Sequence, residues 1–150
     1  KDTSGGDGDE FYELVIKKIV EETPWRHGST RSILLISDAE PHELGYTYMD
    51  YVVNNQIDWK QEAKRAAKSR IKIDTVTINP LPWYKELSAM TNGISVPFSA
   101  SHYTSDLIMA STMARGSHKQ RIMFDKMASE CSSPCMASIY ESYRNEREDI

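Results

Sequence analysis

Apolar positions along this chain alternate between two rhythms. Phe11, Leu14, Val15 and Ile19 follow a helical period, with Asp9 placed as its N-cap and Pro24 as its stop. Four consecutive apolar residues, Ile33 to Ile36, then predict a strand over Ser32 to Ser37 that is buried on both faces. Residues 40–55 mix aromatic and apolar positions without a clean period and read as a surface loop with a short helical turn. Asp58 caps the next helix, with Gln61 three residues on in capping-box position, and Trp59, Ala63, Ala66, Ala67 and Arg70 share one of its faces. Ile71 to Ile78 is a second strand, which Asn79-Pro80-Leu81-Pro82 forbids from continuing. Trp83, Leu87 and Met90 form the face of a short helix ended by Asn92-Gly93. Ile94 to Phe98 is a third strand, placed at an edge by Pro97. Leu107, Ala110 and Ala114 line a further helix that Gly116 stops.

Helices and strands thus alternate, which predicts an α/β fold with a parallel sheet covered by helices, a Rossmann-like three-layer αβα arrangement. The last third departs from this rhythm. Ile122, Phe124, Met127 and Ala128 indicate another helix, Pro134 interrupts it, and Met136, Ile139, Tyr140 and Tyr143 form an i, i+3, i+4, i+7 stripe. The chain therefore divides into an α/β domain over 1–116 and a helical C-terminal extension over 117–150. The extension's stripe either packs back on the sheet or docks onto a partner.

Charge and composition narrow the class. The 150 residues carry a formal net charge of −4, with no basic stripe of the kind nucleic-acid binders show. Lys17-Lys18 and Lys64-Arg65 with Lys68 and Arg70 read as solvated helix faces. No apolar run approaches the roughly 20 residues that span a bilayer, so no membrane span is expected. The first residues are polar and Gly-rich, without the look of a signal peptide. Two cysteines are too few for a disulfide scaffold, and a reducing, cytoplasmic setting is the default expectation.

Candidate chemistry centres on Asp38, which follows the first strand at once. Ligands of open α/β sheets bind beyond the carboxyl ends of the strands, where a carboxylate can hold a cation or an activated group; the alternative is that Asp38 caps a turn. Other motifs are poorer. Gly5-Gly6-Asp7-Gly8 has neither a preceding strand nor the Lys-Ser/Thr of a phosphate loop. Cys131-Ser-Ser-Pro-Cys135 has no matching Cys or His pair for zinc. There is no Gly-x-Ser-x-Gly elbow. His42 reads as a surface-turn histidine or as part of the rim around Asp38.

Three segments carry a family likeness: Gly5-Gly6-Asp7-Gly8-Asp9-Glu10 leading into a helix; Leu34-Leu35-Ile36-Ser37-Asp38-Ala39-Glu40-Pro41-His42; and Ile73-Asp74-Thr75-Val76-Thr77-Ile78 followed by Trp83-Tyr84-Lys85-Glu86-Leu87 and Thr91-Asn92-Gly93. In order and spacing the chain resembles the C-terminal half of a von Willebrand factor A domain of the bacterial or kinase-associated type. The resemblance covers roughly residues 5 to 113. It implies a metal site of the MIDAS kind, binding Mg²⁺ (or Mn²⁺ or Ca²⁺), with Asp38 as the third-loop acid and Asp7, or else Thr3, as the second-loop ligand. Ser4, Ser37, Glu40 and His42 would form the rim. Asp2-Thr3-Ser4 only partly repeats the family's Asp-x-Ser-x-Ser motif and no strand precedes it, so the site is either completed elsewhere or degenerate, its ion lost.

The resemblance further implies that the family's first strand, absent here, would lie beside Ser32 to Ser37. That strand would otherwise form an open edge, to be covered by a missing N-terminal segment, by another chain or by the tail. The function this implies is protein–protein association through a metal that meets a partner's carboxylate. The alternatives are an assembly subunit with a decayed site and a nucleotide- or phosphate-handling enzyme using Asp38.

Overall fold

The computed structural model describes residues 8–48, 51–98, 104–131 and 134–148. Thr3, Ser4 and Asp7 lie outside them. In chain order the elements are α1 (Tyr12–Glu22), β1 (Arg31–Ser37), β2 (Thr47–Tyr48), β3 (Tyr51–Val52), α2 (Trp59–Lys68), β4 (Ile71–Thr77), α3 (Pro82–Met90), β5 (Ser95–Pro97), α4 (Thr104–Ala114), α5 (His118–Glu130) and α6 (Pro134–Glu148). β1, β4 and β5 form a parallel sheet in the order β1-β4-β5, with Arg31 opposite Ile71 and Thr77 opposite Pro97. Among the described residues the chain is a mixed α/β fold with three parallel strands and six helices.

The period-2 alternation of the strands divides the core in two. Ile33, Leu35, Ile71 and Ile73 face one side, where Ile16 of α1, Trp59, Ala63 and Ala66 of α2, and Trp83, Tyr84 and Leu87 of α3 close over them. Leu34 and Val76 face the other side, against Ala110 and Ala114 of α4, Phe124 of α5, and Ile139 and Tyr143 of α6. The stripe of the last helix thus packs back on the fold, and residues on both sides of Gly116 share one core.

Several local expectations are corrected. Asp9 does not cap α1: the Glu10 N–H instead bonds the Glu40 carbonyl at 2.9 Å, tying this segment to the loop after β1, and the helix begins at Tyr12 behind Phe11. The inward face of α1 is set by Ile16 and Glu13, which leaves Val15 exposed. Residues 40–55 hold no helical turn among those described. β2 and β3 pair antiparallel there, with Thr47 opposite Val52 and Tyr48 opposite Tyr51, as aromatic and β-branched residues favour. Ala67 and Arg70 are exposed, off the face formed by Trp59, Ala63 and Ala66. β1 is not buried on both faces, and Ile36 is 40% exposed. The reason is position: β1 is the outermost strand, and no described strand pairs with its far side.

Candidate functional site

The carboxyl ends of β1 and β4 place Ser37 and Asp38 beside Thr77 and Ile78, where the Ile78 N–H bonds the Ser37 carbonyl at 3.0 Å. The chain then turns across the top of the sheet and is held there by donors aimed at its backbone. Asn79 Nδ2 donates to the Asp38 carbonyl at 2.8 Å. Trp83 Nε1 and the Tyr84 hydroxyl both donate to the Ala39 carbonyl, at 2.9 and 2.8 Å. The Ser37 hydroxyl is hydrogen-bonded to the Tyr12 phenol. All these bonds occupy backbone carbonyls or the serine hydroxyl, so the loop is fixed while the side chains of Asp38 and Glu40 remain exposed to solvent.

Burial raises the Tyr12 phenol above its ordinary range and pushes Tyr84 up to about 12, and the negative charge of Asp38 adds to both shifts. These phenols therefore stay protonated at neutral pH, able to donate to the loop.

Below the rim lies a pair that the linear pattern did not single out. Glu13 and His42 are each 1% exposed, with Glu13 Oε1 3.4 Å from His42 Nδ1. Phe11 and Tyr46 pack on the imidazole with ring centroids at 4.3 Å each. Burial raises the Glu13 carboxyl above its usual range, opposed by His42. His42 is thus neither a surface-turn residue nor part of the exposed rim: it joins the rim loop to α1 from inside.

A second buried polar group sits on the opposite face of the sheet. Asp74 Oδ1 accepts from the Ile94 N–H at 2.9 Å and from Arg115 Nη2 at 2.7 Å. Its Oδ2 accepts from the Tyr143 hydroxyl at 3.1 Å and from Arg115 Nη1. Arg115 also donates to Ser32 Oγ at 3.1 Å and lies over the Tyr143 ring. A lone Asp inside an apolar strand pattern was the available signal, since a buried carboxylate needs a partner.

The expected site residues divide accordingly. Ser37, Asp38 and Glu40 follow one another at the carboxyl end of β1, with Asp38 and Glu40 exposed, while His42 is buried. Among the described residues no group of three or more His, Cys, Asp or Glu side chains is arranged to hold a metal ion. Mg²⁺ requires about six oxygen ligands in octahedral array; Asp38 offers one carboxylate here, and the neighbouring Ser37 hydroxyl is engaged by Tyr12. The described residues alone therefore do not fit a divalent-cation site. What the rim offers is the exposed side chains of Asp38 and Glu40 on a backbone held by Asn79, Trp83 and Tyr84, beside a strand edge that no described strand pairs. No described helix is long and apolar enough to cross a membrane. Comparison of the chain with protein-family models, with curated proteins and with solved structures found no match.

Proposed function

We propose that this chain is an association domain that takes up a further strand along the outer edge of β1. The supporting observation is that edge. Ser37 bonds inward to Ile78 of the neighbouring segment, so by the alternation of a parallel ladder the backbone groups of Ser32, Leu34 and Ile36 point outward. Seven residues of strand, with Ile36 40% exposed, form an apolar edge that no described strand covers. Main-chain hydrogen bonds would supply affinity, and the pockets beside alternate side chains would supply selectivity. In a solution of the purified chain the available strand is that of a second copy, which pairs by a two-fold axis.

The test is sedimentation velocity over a range of concentrations. Wild type is expected to run above the 17.1 kDa monomer mass as concentration rises, and Ile36→Lys, which places a charge on the edge, is expected to stay monomeric with an unchanged melting temperature. A wild type that stays strictly monomeric overturns pairing between copies.

A second reading, favoured by the exposed Asp38 carboxylate at the strand end, is the Rossmann-like, von Willebrand factor A-type arrangement with a metal bridging to a partner's carboxylate. Asp7 and Thr3 would have to complete it. Calorimetric titration with Mg²⁺ separates the two: heat that disappears in Asp38→Ala favours the bridge, and equal heats remove it.

A further inference from the structure

The basic residues near the end of α2 do not all behave as a solvated helix face. Arg65 is neutralised by Glu21 at 2.7 Å and Glu62 at 2.8 Å. Lys68 and Arg70 turn elsewhere. Together with Arg31 at the start of β1 and His27 of the preceding loop they line a cavity of about 410 Å³, completed by Gly28, Ser29 and Ser69. Among the described residues no carboxylate lines it, and none lies within ion-pair distance of Arg31, Lys68 or Arg70. In a chain of net charge −4, three cations and a histidine drawn from two stretches of chain, 27–31 and 68–70, converge on one concavity.

Two features pre-organise it. Arg31 Nη1 donates to the Ser69 carbonyl at 3.1 Å, which fixes the guanidinium and leaves its other N–H groups available. Arg70 has a φ of 56°, the left-handed region that bulky side chains seldom occupy and where Gly or Asn is the usual choice. That backbone turns the chain sharply from α2 into β4 and brings Lys68 and Arg70 to the same hollow. Strain of this kind persists where the surroundings hold it and clusters at functional sites.

We propose that this cavity binds a small anion carrying clustered phosphate groups, of the di- or triphosphate class. Arg31 would grip one phosphate in the fork geometry that guanidinium favours, Lys68 and Arg70 would neutralise the next, and Ser29 would stand at the mouth. The volume admits more than a single orthophosphate. The site lies at the amino-terminal end of β1 and β4, the opposite pole from Asp38, so it does not rest on the association reading.

The test is isothermal titration calorimetry of the whole chain with sodium tripolyphosphate at low ionic strength. One site per chain is expected, weakened about tenfold by Lys68→Ala and about tenfold by Arg70→Gly, each the loss of one charge-assisted contact. Arg70→Gly also relieves the left-handed backbone, so its melting temperature should hold or rise while binding falls; that combination separates lost ligand contact from lost fold. Cosedimentation with phosphatidylcholine vesicles containing phosphatidylinositol bisphosphate identifies a lipid headgroup as the source of the phosphates, and binding of the free anion alone identifies a soluble one. Absence of binding, several equivalent weak sites, or heats unchanged in both variants overturns the proposal, as does retention of a single-stranded oligonucleotide without tripolyphosphate binding.

Discussion

Glu13 is a carboxyl group set almost out of reach of water on a helix that otherwise needs an apolar residue there. Its surroundings decide its protonation: burial disfavours the charged form and lifts the folded value above the ordinary 4.5, against the pull of His42. The sign of the linkage follows. The folded state holds this proton more tightly than the unfolded state, so the stability it contributes is complete below the unfolded value. That contribution is lost as pH rises from about 4.5 through the raised folded value. Glu13→Gln keeps the shape and a polar contact to His42 but does not titrate. We expect the difference in stability between wild type and Glu13→Gln, from urea unfolding at successive pH values, to move in favour of the variant as pH rises through that window. A pH-independent difference would mean that Glu13 ionises in the folded chain as it does in the unfolded one.

The elements differ in how plainly they were written. α2, β4 and α3 follow from local chemistry. The Asp58 side chain caps α2 through the Lys60 N–H at 2.8 Å rather than through a capping box with Gln61, Pro82 opens α3 at a position where its missing N–H costs nothing, and Asn92 takes the left-handed turn that ends it. Residues 40–55 were illegible because two-residue strands are too short to establish a period. The inward face of α1 was misread because the Glu13–His42 pair joins residues far apart in the chain, which no local pattern records. The Asp38 rim was legible as a strand end, yet the donors that fix it, Trp83, Tyr84 and Asn79, arrive from the next strand and helix. Gly93 belongs to the same junction. It passes so close to β4 that a Cβ there would strike the Ile73 carbonyl oxygen and sit 3.1 Å from Asp74 Oδ1. Neither atom can yield, the first being backbone and the second held by Arg115. Gly93→Ala should therefore cost about 3 kcal/mol, the upper end for overpacking a filled site, read as a lowered melting temperature. A cost within about 0.5 kcal/mol, the range of unconstrained surface changes, would refute that close approach.

At the scale of the whole molecule, the last two helices decide whether the sheet has one covered face or two. Their amphipathic spacing was visible, but its destination was not, because an apolar stripe specifies burial without naming the surface. Here the surface is the β4 face carrying Val76, where Phe124, Ile139 and Tyr143 close over α4. The Asp74–Arg115 pair lies beneath them, with the Tyr143 hydroxyl on its carboxylate. Removing this layer would expose an apolar face and open a buried ion pair to water in one step. Truncation after Gly116 is therefore expected to abolish cooperative thermal unfolding and to bring on dye binding of the molten-globule kind, although every strand remains. A milder probe grades the same contact. Tyr143→Phe deletes one hydrogen bond and should cost about 1 kcal/mol, whereas Tyr143→Ala also empties a core position and should cost about 3–5 kcal/mol. If the truncated chain melted as sharply as the full one, residues 117–150 would be an appendage, and the second core would have to be held by α4 alone.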